Sequence, residues 1–225
     1  TRRCCLSPSA GVMCHFSTLP HRVRLLSFQR LGACDMNTLN TLYTALVVVW
    51  GGSEIWLSLR RRADTSARAQ DQGSLKALWW TIYISIFVGV FFSFVHLITL
   101  PDAPRHVLFM AGMALILCGL LFRWWSIHVL GRYFTVDVAI ASDHRIIRNG
   151  PYRWLRHPSY TGALTSFLGL ALCQGDLVSM AIIVIPVFAV FLHRIRIEEH
   201  ALAQAFPDDY PTYAQHTARL VPGIW

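Results

Sequence analysis

The sequence is poor in charge. Only 14% of its 225 residues are Asp, Glu, Lys or Arg, whereas 54% are hydrophobic and the mean hydropathy is +0.44. A water-soluble domain carries about 25% charged residues, so the deficit argues for lipid as the solvent. No segment alternates with a strand period of two, which argues against a closed barrel and leaves helices to satisfy the backbone in hydrocarbon. There is no Gly-rich phosphate loop and no dinucleotide fingerprint, which argues against a Rossmann-type cofactor domain. No CxxC pair occurs, so Cys4, Cys5, Cys14 and Cys34 with His15 and His21 do not read as a zinc site, and no metal is expected. Cys118 and Cys173 stand in apolar runs and read as packing residues. Internal repeats and low-complexity linkers are also missing.

What is present is a series of apolar runs. Roughly 20 apolar residues cross a bilayer as a helix. Runs near 39–59, 77–100, 106–130, 162–173 and 177–193 meet or approach that length, the fourth being short. The predicted fold is all-α and polytopic, with about five transmembrane helices. Only Gln174, Gly175 and Asp176 separate the last two runs, so these form a tight helical hairpin.

The net charge of +8 is unevenly placed. Arg60, Arg61, Arg62, Arg68 and Lys76 lie between the first two runs, and Arg132, Arg145, Arg148, Arg153 and Arg156 lie between the third and fourth. Arg194, Arg196 and Arg219 follow the fifth, while the opposite loops offer Arg105 and Asp176. The positive-inside rule then predicts that 60–76, 131–161 and the tail from 194 face the cytoplasm. Because these charges flank spans and accompany no binding module, nucleic acid is not the expected partner. Residues 1–35, with five arginines and four of the six cysteines, break this pattern. They are expected to be a non-native or disordered leader, with the native start at Met36. The expected division is 1–35 leader, 36–130 three transmembrane helices, and 131–225 a catalytic region made of a loop, the hairpin and the tail.

The 131–161 connection is long and polar, and such loops tend to be functional. It ends in GPYRWLRHPSYTG, residues 150–162. Asn149, Gly150 and Pro151 signal a turn, and Pro158 suits the first turn of the fourth helix. His157 and Tyr160 then share a face of the helix start, where donors suit an anionic group such as the carboxylate of an amino-acid-like cofactor. A plainer reading makes the arginines lipid-phosphate anchors and Trp154 an interface residue. After the fifth run, RIRIEEHALAQAF continues as helix, with Arg194 and Glu198 four apart, until Pro207 ends it before a turn holding Tyr210 and Tyr213. Within the spans, Glu54, Arg123 and His128 lie toward the same face; Glu54 is too short to snorkel and so reads as functional. His96 and His106 lie toward the other face and are given no role.

Together, GRYFTVDV, DHRIIRNGPYRWLRHPSYTG, RIRIEEHAL and FPDDYPTY resemble the blocks of the isoprenylcysteine carboxyl methyltransferase family, in order and spacing. The resemblance extends over roughly 125–225, with a short SEIW match before it and Pro207 where the family often has Gly. It implies an integral-membrane enzyme that binds S-adenosylmethionine in a cytoplasmic pocket roofed by the loop and tail. A lipophilic or prenylated acceptor, or a membrane lipid, would enter from the bilayer. Carried over by position, His144, Gly150, Tyr152, Arg156, His157, Pro158, Tyr160, Gly162, Glu198 and Glu199 would shape the cofactor pocket, with Arg194 and Glu199 catalytic. An ionised carboxylate acceptor needs no base and suits a guanidinium fork such as Arg194. An amine or phenol would need a base, with Glu199, Glu54 and His157 as candidates. The alternatives are a phospholipid N-methyltransferase, an NADPH-dependent sterol-reductase-like enzyme, and a non-catalytic membrane scaffold.

Overall fold

A computed structural model describes residues 21–60, 73–136 and 145–223, with side chains from residue 37 onward. His144 lies outside the described residues, as do residues 1–20 of the expected leader. The order is α1 (His21–Arg60), α2 (Ser74–Val95), α3 (Asp102–Leu130), a 3₁₀ turn (Gly131–Tyr133), a second 3₁₀ turn (Gly150–Arg153), α4 (Pro158–Gln174), α5 (Leu177–Ala205) and α6 (Asp209–His216). The chain divides into two units, residues 1–44 and 45–225. Residues 21–35 are helical backbone in the first part of α1, and the described side chains of the first unit include Thr41 and Thr44, which donate to the carbonyls of Asn37 and Asn40 one turn back.

Among the described residues, four helices are long and apolar enough to cross a membrane: Asn37–Arg60, Ser74–Val95, Pro104–Tyr133 and Leu177–Ala205. The fourth expected run, already short in sequence, became α4, whose 17 residues fall short of them. The chain is an integral membrane protein, and the outward faces of its helices are apolar, with Trp80, Phe87, Phe94 and Val107 each at least two-thirds exposed. Exposed apolar side chains in such number suit hydrocarbon rather than water.

α3 packs on α4, α4 on α5, and α5 on α2. The α3–α4 contact is made by glycines seven apart on each helix. A Cβ at Gly162 would stand 2.7 Å from the Gly119 carbonyl and 2.7 Å from the Arg123 nitrogen; one at Gly169 would stand 2.5 Å from the Gly112 carbonyl. Lipid offers no hydrophobic drive to press helices together, so close backbone approach at small residues supplies the dispersion contact instead. From the residues after Ala45, α1 adds Leu57 to Ile127 and Phe134, and sets Trp50 edge-on to Phe167 with ring centroids 4.8 Å apart.

The second apolar run ends earlier as a helix than its hydropathy suggests. His96 takes a left-handed conformation (φ 55°, ψ 49°) and stops α2. The following residues cross the α4–α5 turn, where Ile98 N–H donates to Asp176 Oδ2 at 2.8 Å and Leu177 N–H to the Ile98 carbonyl at 3.1 Å. Asp176, fully buried, also accepts from the Ser179 N–H at 3.0 Å and so caps α5. This corner closes one end of the bundle. The polar blocks gather at the other end.

Candidate functional site

The loop and the tail are joined by backbone. The Arg156 N–H donates to the Ala218 carbonyl at 2.8 Å, Ala218 N–H to Trp154 at 3.0 Å, and His157 N–H to Arg219 at 3.2 Å, a short parallel pairing. Gly150 makes the turn that starts this segment; its φ of 56° is a left-handed value that favours glycine. Tyr213 of α6 locks the tail down, donating to the Tyr152 carbonyl at 2.7 Å and lying 3.2 Å from that of Leu155. Burial pushes the Tyr213 phenol up to about 12, with Arg156 pulling against it. Burial also pushes Tyr152 and Tyr210 well above the ordinary phenol value, helped at Tyr152 by the Glu198 charge and at Tyr210 by the Glu199 charge, so all three stay neutral donors.

Tyr160 is the hub of the site. Its hydroxyl donates to Glu198 Oε2 at 2.7 Å and accepts from Arg194 Nε at 3.1 Å. Its ring stacks on His157, with centroids 5.6 Å apart and planes 13° from parallel, and meets Phe191 edge-on at 5.4 Å. The helical spacing of Arg194 and Glu198 suggested a direct pair; the phenol of Tyr160 stands between them. Arg194, only 2% exposed, also donates to the Ser74 hydroxyl at 2.8 Å and to the Val136 carbonyl. One guanidinium thereby ties the start of α2, the loop after α3 and the first turn of α4.

Glu199 sits in a knot of cations. Arg219 donates from Nε to Oε1 at 3.1 Å and approaches Oε2 with Nη2 at 2.8 Å. His157 Nε2 lies 3.3 Å and Arg156 Nη1 3.5 Å from Oε1. Arg219 was not among the residues expected at the site; its basic character was legible in the tail, but its partner 20 positions away was not.

Glu54 and Arg123, treated separately in sequence, pair with each other. Nε to Oε1 is 2.5 Å and Nη2 to Oε2 is 2.7 Å, a two-point fork between α1 and α3. The remaining nitrogen of Arg123 donates to the Ser159 hydroxyl at 2.9 Å and carbonyl at 3.2 Å. His128 is exposed and stands apart from this site.

These groups wall an open cavity of about 1430 Å³, its solvent-filled mouth included. Of the residues expected to bind cofactor or catalyse, Tyr152, Arg156, His157, Tyr160, Arg194 and Glu198 line it. Glu199, Gly150, Pro158 and Gly162 do not appear on its wall. Pro158 occupies the first position of α4 and Gly162 faces α3, so both build the helix that carries Tyr160 rather than the wall itself. The far wall was missed in sequence because it comes from apolar spans: Trp50, Leu78, Ile82, Ala163, Phe167 and Phe191. Among the described residues, three buried side-chain polar atoms have no partner, Trp50 Nε1, Arg156 Nε and Tyr210 Oη, and all three belong to residues of this cavity.

The fold and the cavity define a polytopic helical membrane protein with an ionic site at one end of its bundle. Residues 110–204 match the model of the isoprenylcysteine carboxyl methyltransferase (ICMT) family. Protein-S-isoprenylcysteine O-methyltransferase B of Arabidopsis thaliana is 33% identical over 115 residues, covering 50% of the chain and 58% of the relative. The protein-S-isoprenylcysteine O-methyltransferase of Saccharomyces cerevisiae is 31% identical over 115 residues, covering 50% and 48%. The chain thus spans about half the length of the curated relatives it matches. The solved structure of a eukaryotic intramembrane Ras methyltransferase, ICMT, shares the fold with a TM-score of 0.50 at 24% identity, over 65% of this chain and 51% of that one.

Proposed function

We propose that the chain is an S-adenosylmethionine-dependent methyltransferase acting on the carboxylate of a prenylcysteine-like or other lipophilic acceptor at the cytoplasmic membrane face. The observation that carries this reading is a single cavity with two chemical ends inside a chain whose 110–204 region matches the ICMT family model. One end is ionic and aromatic, with Arg156, His157, Tyr160 and Glu198; the other is apolar, with Trp50, Leu78, Ile82 and Phe167. A polar cofactor and a greasy acceptor would meet between them. The positive-inside count of the loops supports the cytoplasmic side.

The donor set suits S-adenosylmethionine. The Glu198 carboxylate, fixed by Tyr160 at 2.7 Å, supplies negative charge beside a cation. The unpartnered Arg156 Nε and Tyr210 Oη are donors for a carboxylate or a nucleoside edge. When bound, the cofactor supplies an electrophilic methyl group on a positively charged sulfur. The chain's own work is then positioning, since in-line transfer depends on the alignment of nucleophile and methyl carbon.

An acceptor carboxylate is ionised at neutral pH, its ordinary value being near 4. It needs no base, and the site is poor in bases. Glu199 is held by Arg219, Arg156 and His157, while Glu54 is held by Arg123. This supports a carboxylate over an amine. Arg194 is retained as the guanidinium that receives the acceptor carboxylate. Its nitrogens are engaged by Tyr160, Ser74 and Val136, so the acceptor exchanges with at least one of these. Glu199 serves as a positioning residue for Arg156 and His157.

The test is calorimetric binding of S-adenosylmethionine and of NADPH to the detergent-purified chain, with His157→Ala as control. Binding of S-adenosylmethionine that the variant loses supports the reading and leads to turnover assays with S-farnesylcysteine against phosphatidylethanolamine. Binding of NADPH alone overturns it in favour of a reductase, and methylation of the ethanolamine lipid alone overturns the carboxylate assignment.

A further inference from the structure

The fork between Glu54 and Arg123 is more than a neutralised charge in a membrane. A pair serving only to cancel charge needs two facing groups. Here the guanidinium spends Nε and Nη2 on Glu54 and directs Nη1 to both the hydroxyl and the carbonyl of Ser159. Ser159 lies in the first turn of α4, between His157 and Tyr160. Gly162, one turn later, backs directly onto the Arg123 backbone, since a Cβ there would stand 2.7 Å from its nitrogen. From the other side, the Thr161 hydroxyl donates to the Leu220 carbonyl at 2.9 Å. The first turn of α4 is therefore gripped between α3 and the tail. Glu54 stands outside the family-matched residues 110–204.

We propose that Glu54, Arg123 and Ser159 form a positioning clamp that fixes the rotation and height of α4's first turn, and with it the presentation of His157 and Tyr160 to the cavity. The charge of Glu54 holds Arg123 side-on, and the planarity of the guanidinium aims its third nitrogen at Ser159. Lysine at 123 would keep the charge and lose the fork. For its catalytic consequence the clamp rests on the methyltransferase reading above; for its structural consequence it does not.

The test uses the full chain in detergent with Arg123→Lys and the double variant Glu54→Leu, Arg123→Met, which removes both charges and leaves none unpaired. Replacing a buried pair by apolar residues of similar volume is often neutral for stability, so the double variant is expected to melt near the wild type. Hydrogen exchange of the peptide spanning 154–162 is expected to quicken in both variants, with exchange elsewhere in α4 unchanged. Affinity for S-adenosylmethionine is expected to fall, and turnover to fall by up to about a hundredfold, the size that ångström-scale misplacement carries. Wild-type exchange across 154–162 in a folded double variant overturns the clamp whatever the cofactor does. Faster exchange with S-adenosylmethionine affinity and turnover unchanged overturns its role in the site. Absence of S-adenosylmethionine binding in the wild type overturns the methyltransferase reading and leaves the exchange experiment to judge the clamp alone.

Discussion

The Tyr160 hydroxyl donates to the Glu198 carboxylate at 2.7 Å while accepting from Arg194 at 3.1 Å. One phenol therefore fixes the acid that would face a cationic cofactor and the guanidinium that would face an anionic acceptor. Tyr160→Phe removes both bonds and keeps the ring on His157 and Phe191. The expected outcome is a folded protein whose S-adenosylmethionine affinity falls about ten- to hundredfold, from a hydrogen bond to a charged group worth about 1.5–3 kcal/mol. Acceptor KM should rise as well, because Arg194 loses one of its anchors. Calorimetry and acceptor titration measure the two separately; a variant with both constants unchanged removes Tyr160 from the hub.

Glu199 and Glu198 are neighbours in sequence and differ in duty. Glu199→Gln leaves Arg156 and Arg219 without their shared anion, in a knot whose side chains are 13–24% exposed. The expected cost is about 1–3 kcal/mol in stability, seen as a lower melting temperature, with cofactor affinity lost through displaced Arg156 and His157. Glu198→Gln should weaken the cofactor with little change in melting, since its carboxylate is paired chiefly with a neutral phenol. Equal melting shifts for the two variants would contradict this division.

Glycines predict an opposite pair of outcomes. At Gly162 an added methyl would meet the backbone of α3 at 2.7 Å, whereas at Gly52 in α1 it would meet nothing within 4 Å. Gly162→Ala forces α3 and α4 apart and should cost about 1–3 kcal/mol, the usual range for overpacking. Gly52→Ala should be neutral or stabilise by about 0.5–1 kcal/mol, because alanine loses less backbone entropy in a helix. Thermal melts of both variants in one detergent test the contrast.

Much of this architecture was legible because lipid imposes a simple rule. Long apolar runs became α1, α2, α3 and α5, and Pro158, Gly175 and Asp176 bounded α4 and α5 as punctuation predicts. The end of α2 was not legible, because the run through Leu97, Ile98 and Leu100 is as apolar as the helix before it. His96 and the buried carboxylate of Asp176, both tertiary features, turn it out of the helix. At the site, the polar wall followed from blocks in which many uncommon residues recur together. Its partners did not: Glu54 with Arg123 and Glu199 with Arg219 join positions whose distance in space no periodicity encodes. Gly162 was read as a pocket residue because it stands inside the RHPSYTG block, yet its face of α4 points at α3. The apolar wall from Trp50 to Phe191 was hidden among side chains that look alike whether they face lipid, a neighbour or a ligand.

Tyr213 offers a test at high pH. Its hydroxyl donates to the Tyr152 carbonyl, also lies beside that of Leu155, and is buried, which raises it from 10.0 to about 12. A phenol raised in the folded state contributes stability that is fully present below its unfolded value and is lost as pH climbs through its folded value. The window is therefore about pH 10 to 12. Tyr152 and Tyr210 are raised by burial too, so the wild type should lose stability steeply across that window. Tyr213→Phe should cost about 1 kcal/mol at neutral pH through the lost hydrogen bond, and its melting temperature should fall less between pH 10 and 12. Parallel curves for variant and wild type would mean that the tail is held by its other bonds, such as Trp154–Ala218, Arg156–Ala218 and His157–Arg219, and not by the Tyr213 hydroxyl. A converging pair would assign the alkaline loss to the tyrosine that pins α6 over the loop.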